Sequence, residues 1–328
     1  MSFLQFWAKN MLMRFVSIVV AVTVASFAGK AEADVAFRRA DANGDLRVDI
    51  SDVAYTTNYL FKGSPALGSD DAGDANDDGV ISLSDSIYTW NYLFTGGPPP
   101  PAPFPDTGTD PTTDSLGSTT YPSNLVNPGA ALSFSGPTQV FAAPGITVEI
   151  PVSVWLTSPV SQGPEAWSVG VSTTNNGSIT AATTQGTDAA LATDSPPGLR
   201  GSSSFERTEL ISNGAYSSVL LSLTQVVELP ADGVSHILDL TISATAPAAG
   251  NTNSLLLSFT DSFASPGGPM LDNVATIGGL SYLPSKSTHL IHVTAIPEPS
   301  ALIYGGLLSS VVGFRAWKKK RRRAKRCA

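Results

Sequence analysis

Residues 41–63, DANGDLRVDISDVAYTTNYLFKG, and residues 74–96, DANDDGVISLSDSIYTWNYLFTG, are two copies of one unit, offset by 33 residues and identical at 13 of 23 positions. Counted from the first Asp, oxygen-bearing side chains recur at positions 1, 3, 5, 9 and 12. They are Asp41, Asn43, Asp45, Asp49 and Asp52 in one copy, and Asp74, Asn76, Asp78, Ser82 and Asp85 in the other. The backbone carbonyls of Arg47 and Val80 complete the set at position 7. A loop that curls back on itself aims such groups at one point, and a hard cation such as calcium takes about six to eight oxygens. The reading is two calcium sites. A merely solvated acidic loop has no reason to repeat its ligand spacing.

After each loop the apolar spacing turns helical, through Val53, Tyr55, Tyr59, Leu60 and Phe61, and through Ile87, Tyr88, Tyr92, Leu93 and Phe94. Each unit is thus a loop followed by one helix. With Asp at position 12 and the trailing GGPPPPAPFPD, residues 37–117 resemble the dockerin domain, in the form found in exported planctomycete proteins. The resemblance implies a small all-α module of two EF-hand-like units related by a pseudo-twofold axis, with a cohesin-type domain as partner. It also implies that loop positions 10 and 11, Ile50 and Ser51 and then Leu83 and Ser84, take part in docking. Two departures stand out. Leu46 occupies position 6, where Gly normally allows the sharp turn, which predicts a weaker first site. The cysteine pair that tends to follow the proline run in the family is absent, Thr107 and Ser118 standing in this region instead.

The 328-residue chain has room for two modest domains and tails. Its net charge of −8 hides a strong polarity, because residues 34–295 hold 7 Lys and Arg against 25 Asp and Glu, a net −18. Nucleic acid is excluded as a partner on that balance, since phosphate contacts need clustered cations. The one cysteine, Cys327, leaves residues 34–295 without a disulfide.

Export is read from the ends. Lys9 and Arg14 precede an apolar run over residues 15–28, then Ala31-Glu32-Ala33, a small-x-small cleavage site, so residues 1–33 are expected to be a signal peptide. An uncleaved anchor, or a start at Met11 or Met13, is the alternative. At the other end Pro297, Glu298 and Pro299 precede an apolar stretch over residues 301–314, then Trp317 and a basic cluster. The stretch is short for a membrane-spanning helix, which Trp317 and snorkelling cations extend. Residues 296–328 resemble a PEP-CTERM sorting signal, which implies a transmembrane helix, an exosortase as processing enzyme and a place in the cell envelope. A plain tail anchor is the simpler alternative.

Residues 98–129, rich in Pro, Asp, Thr, Gly and Ser, read as an exposed semi-rigid linker or a strap over the helices. Residues 130–295 switch to a period of two: Ile146, Val148, Ile150, Val152, Val154 and Leu156 alternate with small or polar residues. Pro151 within that run suggests an edge or a bulge. Further strands are expected around Trp167, after the turn at Asn175-Asn176-Gly177, and over 219–227, 236–242, 255–259 and 289–293. The expectation is an antiparallel β sandwich or jelly roll. The stretch VFAAPGITVEIPVSV, taken with the Trp167 strand and VLLSLTQVVELPADGVSHILDLTIS, looks like a cohesin or a related carbohydrate-binding-type sandwich.

No catalytic set emerges from residues 130–295. His289 and His292, three apart in a strand, point to opposite faces, and His236 opens an apolar strand. Glu165, Glu206 and Glu209 are carboxylates without a spacing that pairs them. Trp155 faces away from the aliphatic set, as a sugar platform or, more simply, as packing. The expectation is an exported, non-enzymatic, calcium-binding interaction protein that docks a cohesin-type partner. The alternatives are a polysaccharide-associated protein, binding or hydrolysing a glycan, and an envelope component that self-associates, helix module to sandwich.

Overall fold

The structure is a computed structural model that describes residues 35–296, except 64, 123–126, 160–161, 175, 194–203, 213, 223–227, 230–232 and 265–266. The expected signal peptide, the sorting residues Pro297, Glu298 and Pro299, the apolar tail and Cys327 lie outside the described residues, as does the end of the strand expected over 219–227. Among the described residues no helix is long and apolar enough to cross a membrane.

Each acidic loop runs directly into a helix because its position-9 side chain is also the helix cap. Asp49 caps α1 (Ile50–Lys62) by accepting from the Ser51 N–H, and Asp52 accepts in return from the Asp49 N–H at 2.8 Å. Ser82 and Asp85 repeat this reciprocal box at α3 (Leu83–Phe94), satisfying N–H groups that a helix start leaves open. Gly63, at φ 68°, ends α1 in the left-handed conformation. A single turn, α2 (Asp70–Gly73), lies between the copies.

Of the two expected roles the linker takes that of a strap, most of its described residues staying exposed while a few, Pro100, Ser118 and Tyr121, are buried. Val35 and Phe37 bond the backbone of Ser118 and Gly108, Ser69 bridges Ser118, and Phe37, Ala72 and Tyr121 form a small apolar cluster beneath it. Phe104 packs edge-on against Tyr92 at 5.4 Å, and the Tyr88 hydroxyl donates to the Pro99 carbonyl. The reason is Arg39, fully buried beneath the strap. Its guanidinium reaches the carbonyls of Ala102 and Asp74 at 3.0 Å and the carboxylates of Asp110 and Asp77 at 2.8 and 2.9 Å. A buried cation has to be paired on all sides, and only the strap supplies Ala102 and Asp110.

The rest is β structure: β1 (Asn127–Ser135), β2 (Gln139–Ala142), β3 (Thr147–Thr157), β4 (Ala166–Thr173), β5 (Ser178–Thr183), β6 (Phe205–Ile211), β7 (Gly214–Leu220), β8 (Val234–Thr245), β9 (Thr252–Phe259), the short hairpin β10 (Phe263–Ala264) and β11 (Met270–Leu271), β12 (Val274–Ile277), β13 (Leu280–Lys286) and β14 (Thr288–Ala295). One short helix, α4 (Asp188–Thr193), interrupts the series. Hydrogen bonds follow the order β2-β14-β9-β4-β12-β13-β1-β3-β8-β5, with β7 on the other side of β4 and β6 beyond it. Residues from both ends of that path meet in one core, Val152, Val154, Leu156, Leu238 and Leu240 facing Trp167, Val169, Val219, Leu257 and Ile291. The sandwich is not wholly antiparallel. β1 with β13, and β2 with β14, run parallel, which is open to strands brought together from distant parts of the chain without a hairpin. Pro151 lies where β3 pairs with β8 alone, β1 having ended opposite Ser153, so its missing N–H removes no bond on that side.

Most strands alternate buried and exposed residues, but β4, β7 and β12 are buried on both faces. Their inner residues face the core. Their outer residues, among them Ala166, Tyr216, Leu220 and Val274, lie under α1 and α3.

Arg39→Met is expected to destabilise the chain by about 3–5 kcal/mol, the cost of removing one partner from a buried ionic cluster. Denaturant unfolding followed by helical circular dichroism measures it; a loss below about 1 kcal/mol would show that the strap does not depend on this cation.

Candidate functional site

The two loops close on themselves in the same way, bond for bond. The first Asp accepts from the N–H groups of positions 5 and 6: Asp45 and Leu46 on Asp41 at 3.1 and 2.8 Å, Asp78 and Gly79 on Asp74 at 3.2 and 2.8 Å. The position-3 amide oxygen accepts from the position-5 N–H, and the position-5 carboxylate from the position-7 N–H. The position-12 carboxylate ties the ends, Asp52 accepting from Asn43 and Asp49, and Asp85 from Asn76 and Ser82. Position 6 needs a positive φ in both, which Gly79 adopts at 78° and Leu46 at 69°. Leu46 therefore keeps the turn that its side chain disfavours.

Burial raises the carboxyls of Asp41 and Asp85 to about 7 and that of Asp49 to about 6, with neighbouring carboxylates adding to the effect. Asp52 is pushed well above the ordinary range by burial and then by Asp41, Asp49 and Asp45. Asp74 is raised mainly by burial. Hard oxygens gathered in two closed loops, one buried and one partly exposed, with so little positive charge fit a divalent cation by their chemistry. Three carboxylate oxygens already lie within 4.8 Å of one another elsewhere, in Asp71, Asp110 and Asp114 and in Asp74, Asp77 and Asp114. There the Arg39 guanidinium, bound to Asp77 and Asp110, already supplies positive charge.

The copies differ in what surrounds them. Asn43 and Asp45 are buried, whereas Asp78 and Val80 are exposed. Tyr121 of the strap donates to Asp41 at 2.5 Å, and the Asn43 amide donates to Ser281 of β13 at 3.0 Å. The equivalent amide of Asn76 stays inside its own loop, on Asp78 and Ser84.

The residues expected to dock are likewise separated. Ile50 and Ser51 are buried against the sandwich, with the Ser51 hydroxyl 2.9 Å from that of Thr276. Ser84 is exposed and Leu83 half-buried at the rim of the same cluster. The seam itself is apolar: Ile50, Val53, Ala54, Trp90, Leu93 and Phe94 pack on Ala166, Tyr216, Leu220, Phe263, Leu271 and Val274. Trp90 sits between Phe94 and Phe205, its ring centroid 4.4 and 5.0 Å from theirs. Around the rim Arg47 pairs with Asp272 at 3.0 Å, Lys62 with Glu228 at 3.5 Å, and Arg207 donates to the Phe94 carbonyl. Close approach is built in: a Cβ on Gly279 would meet Tyr55 at 3.1 Å and Asn58 at 3.2 Å, and one on Gly170 would strike Phe263.

The carboxylates weighed for catalysis do not pair. Glu165 is buried under α1, where it accepts from the Asn58 amide at 2.9 Å and from the Gly279 N–H, and burial raises it to about 7. Glu206 accepts from Thr184 and Thr208, and Glu209 pairs with Arg207. Ser153 and His236 both bond the same oxygen of Asp239, at 2.6 and 2.8 Å, so the acid stands between hydroxyl and imidazole and no base reaches the serine. Trp155 stacks on His236 at 4.7 Å, which is packing. His289 and His292 find separate partners, the Pro137 carbonyl and Ser254.

Sequence reasoning missed the platform on β12 and β13. Thr276 and Ser281 are direct cross-strand partners, and the turn between the strands carries Gly278 and Gly279. The available signal was the paired glycine turn, Gly278-Gly279, between two short strand-like runs.

No protein-family model and no curated protein matches the chain. Solved structures similar to it over about half its length are cohesin modules. One is the cohesin module of a Clostridium perfringens family 33 glycoside hydrolase, 9% identical, covering 51% of this chain and 97% of that one at a TM-score of 0.33. Another is the sixth cohesin of Acetivibrio cellulolyticus scaffoldin B, in complex with a Cel5 dockerin, 14% identical over 51% and 99% at 0.33. A type III cohesin of Ruminococcus flavefaciens ScaE is 11% identical over 51% and 88% at 0.31.

Raised carboxyl pKa values imply that the cation-free loops are most stable when these groups are protonated. That stability is fully present below the ordinary value of 3.8 and is lost as pH rises through 6 to 7. Chelator-treated chain should therefore lose its helical signal at a lower temperature at pH 8 than at pH 5, and a reversed order would remove the carboxylates as the cause.

Proposed function

We propose that the chain is an exported, non-enzymatic interaction protein. In this reading its duplicated loops bind two calcium ions, and its helix pair docks on a cohesin-type sandwich, here the chain's own. The observation that carries the reading is the coincidence of expected and actual contact: Ile50 and Ser51, at loop positions 10 and 11, lie in the apolar seam, with Ser51 on Thr276. Asp41, Asn43, Asp45, Asp49 and Asp52 with the Arg47 carbonyl would hold one ion. Asp74, Asn76, Asp78, Ser82 and Asp85 with the Val80 carbonyl would hold the other. A bound cation supplies the charge that the buried carboxylates lack, which lets them ionise without repelling one another and keeps each loop attached to its helix. The chain's own residues do the rest, Asp49 and Ser82 as helix caps and Trp90 as the central anchor of the seam. The non-enzymatic part of the reading is supported by the partners of Glu165, Glu206 and Glu209, which are Asn58, Thr184 and Arg207 rather than one another.

Calorimetry on the full chain should show about two calcium ions bound, with hydrogen exchange slowing in α1, α3 and the seam residues of β4 and β12. Calcium binding without any change at β4 and β12 would reject the docking role, and no binding at all would reject the metal reading.

The sorting part of the proposal rests on Pro297, Glu298 and Pro299 ahead of the apolar and basic tail. Truncation after Ala295 should release the protein into the medium, and Glu298→Ala should block processing of the membrane form. Unchanged processing in Glu298→Ala would leave a simple anchor as sufficient.

A further inference from the structure

The docking seam contains a buried carboxyl group that the proposed function does not use. Glu165, 4% exposed, is held between the two bodies: Asn58 of α1 donates to it from one side, and the Gly279 N–H of the β12–β13 turn from the other. The turn is pressed onto the same turn of helix: Gly279 has a φ of 77°, and a side chain there would crowd Tyr55 and Asn58. From α1 the charged or titratable neighbours are Tyr55 and Lys62, and from the segment after β7 Glu228; the β12–β13 turn brings only backbone. Lys62 is shared with Glu228 at 3.5 Å, so its charge is not dedicated to Glu165. A cavity of about 380 Å³, lined by Tyr55, Asn58, Lys62, Gln162 and Leu280 among others, opens beside this cluster and gives water a route to the joint.

We infer that Glu165 makes docking of the helix pair proton-linked: the acid is neutral in the closed seam, and its ionisation drives the helix pair and the sandwich apart. This rests on the docking reading above and adds its regulation. The physical reason is asymmetry between the two states. In the closed seam the carboxylate is stripped of water and has two hydrogen-bond donors but no cation of its own. Once the seam opens, the same carboxylate is solvated and ionises as an ordinary one.

The sign comes from linkage. Burial raises the closed-state value to about 7, against an ordinary 4.5, so the closed state binds the proton more tightly. Docking is therefore at full strength below about pH 4.5 and weakens as pH rises through 7, by as much as about 300-fold at tenfold per pH unit. The two donors favour the charged form, so removing one must move the transition to higher pH.

The test uses the full chain in saturating calcium, so that the loop carboxylates stay ligated throughout. Hydrogen exchange of α1 amides and of residues 276–281, corrected for intrinsic rates, is followed from pH 5 to 8.5. Wild type should lose protection by one to two powers of ten across neutrality, Glu165→Gln should hold it level, and Asn58→Ala should shift the midpoint upward. Carboxyl-carbon NMR of Glu165 should report a midpoint near 7. A Glu165 midpoint in the ordinary carboxylate range, or parallel profiles for wild type and Glu165→Gln, would overturn the inference. If Glu165→Gln does not dock, the Asn58→Ala midpoint decides. Absence of protection at every pH in wild type would instead reject the docking reading itself.

Discussion

The apolar seam between two helices and the outer face of three strands is the contact on which the arrangement depends. β4, β7 and β12 would otherwise show Tyr216, Leu220 and Val274 to water, and the helices would show Ile50, Val53, Trp90 and Phe94. Full burial of a large apolar side chain is worth about 1.5–3 kcal/mol, and neither partner has an alternative cover among the described residues. Residues 35–122 are too few to hide that many aromatics by themselves. The two parts therefore complete each other, with Ala166 of β4 under the helices and Gly170 leaving room for Phe263, whose ring joins the same apolar cluster.

Duplication within different surroundings explains why two near-identical loops end unlike. Both keep the same internal bonds, which shows how strongly the ligand pattern dictates the backbone. Leu46 accepts a left-handed conformation costing about 1–2 kcal/mol so that its N–H still reaches Asp41. The first loop, with Gly44 and Leu46 at positive φ, is enclosed by Tyr121 and Ser281, whereas the second, with Asp77 and Gly79 at positive φ, leaves Asp78 and Val80 in solvent while Arg39 and Thr112 hold Asp77. Enclosure supplies contacts that offset the strain, and an isolated loop with Leu at that position would lack them.

The parts legible in the sequence are those governed by local rules. The spacing of the acidic residues marks the loops, reciprocal capping by Asp49 with Asp52 and Ser82 with Asp85 the helix starts, and period-two alternation the strands β3, β4, β5, β8, β9 and β14. By contrast β6, β12 and β13 carry no such mark, and β7 ends at Leu220 rather than running on. What was not legible depends on contacts between distant segments. The exposure of the strap is legible in its Pro, Thr and Asp, but its attachment is not, because Arg39, more than sixty residues earlier, bonds Ala102 and Asp110. Glu165 looked like one acid among several, because nothing near it in the chain announces Asn58 or Gly279. The parallel pairs β1–β13 and β2–β14 were invisible for the same reason, since pairing direction between remote strands leaves no mark in either one.

An apolar seam fixes that two surfaces meet but not how they are turned. Here the turn is fixed by a few polar atoms within it. Asn43 and Ser51 reach Ser281 and Thr276, which stand directly opposite each other across β12 and β13, so one loop and the start of its helix grip both strands of a single cross-strand pair. Asn58, two turns further along α1, grips Glu165 beside the turn of the same hairpin. Three buried points, Asn43 in the loop and Ser51 and Asn58 on the helix that follows it, admit one register: sliding α1 by a residue would turn Ser51 and Asn58 away and leave buried polar groups unmet at about 1–3 kcal/mol apiece. The same logic puts the sensitive group at the far point. Ser281 and Thr276 are neutral at any pH, while the contact at Glu165 changes charge, so the seam is held in register by hydroxyls and conditioned by one acid.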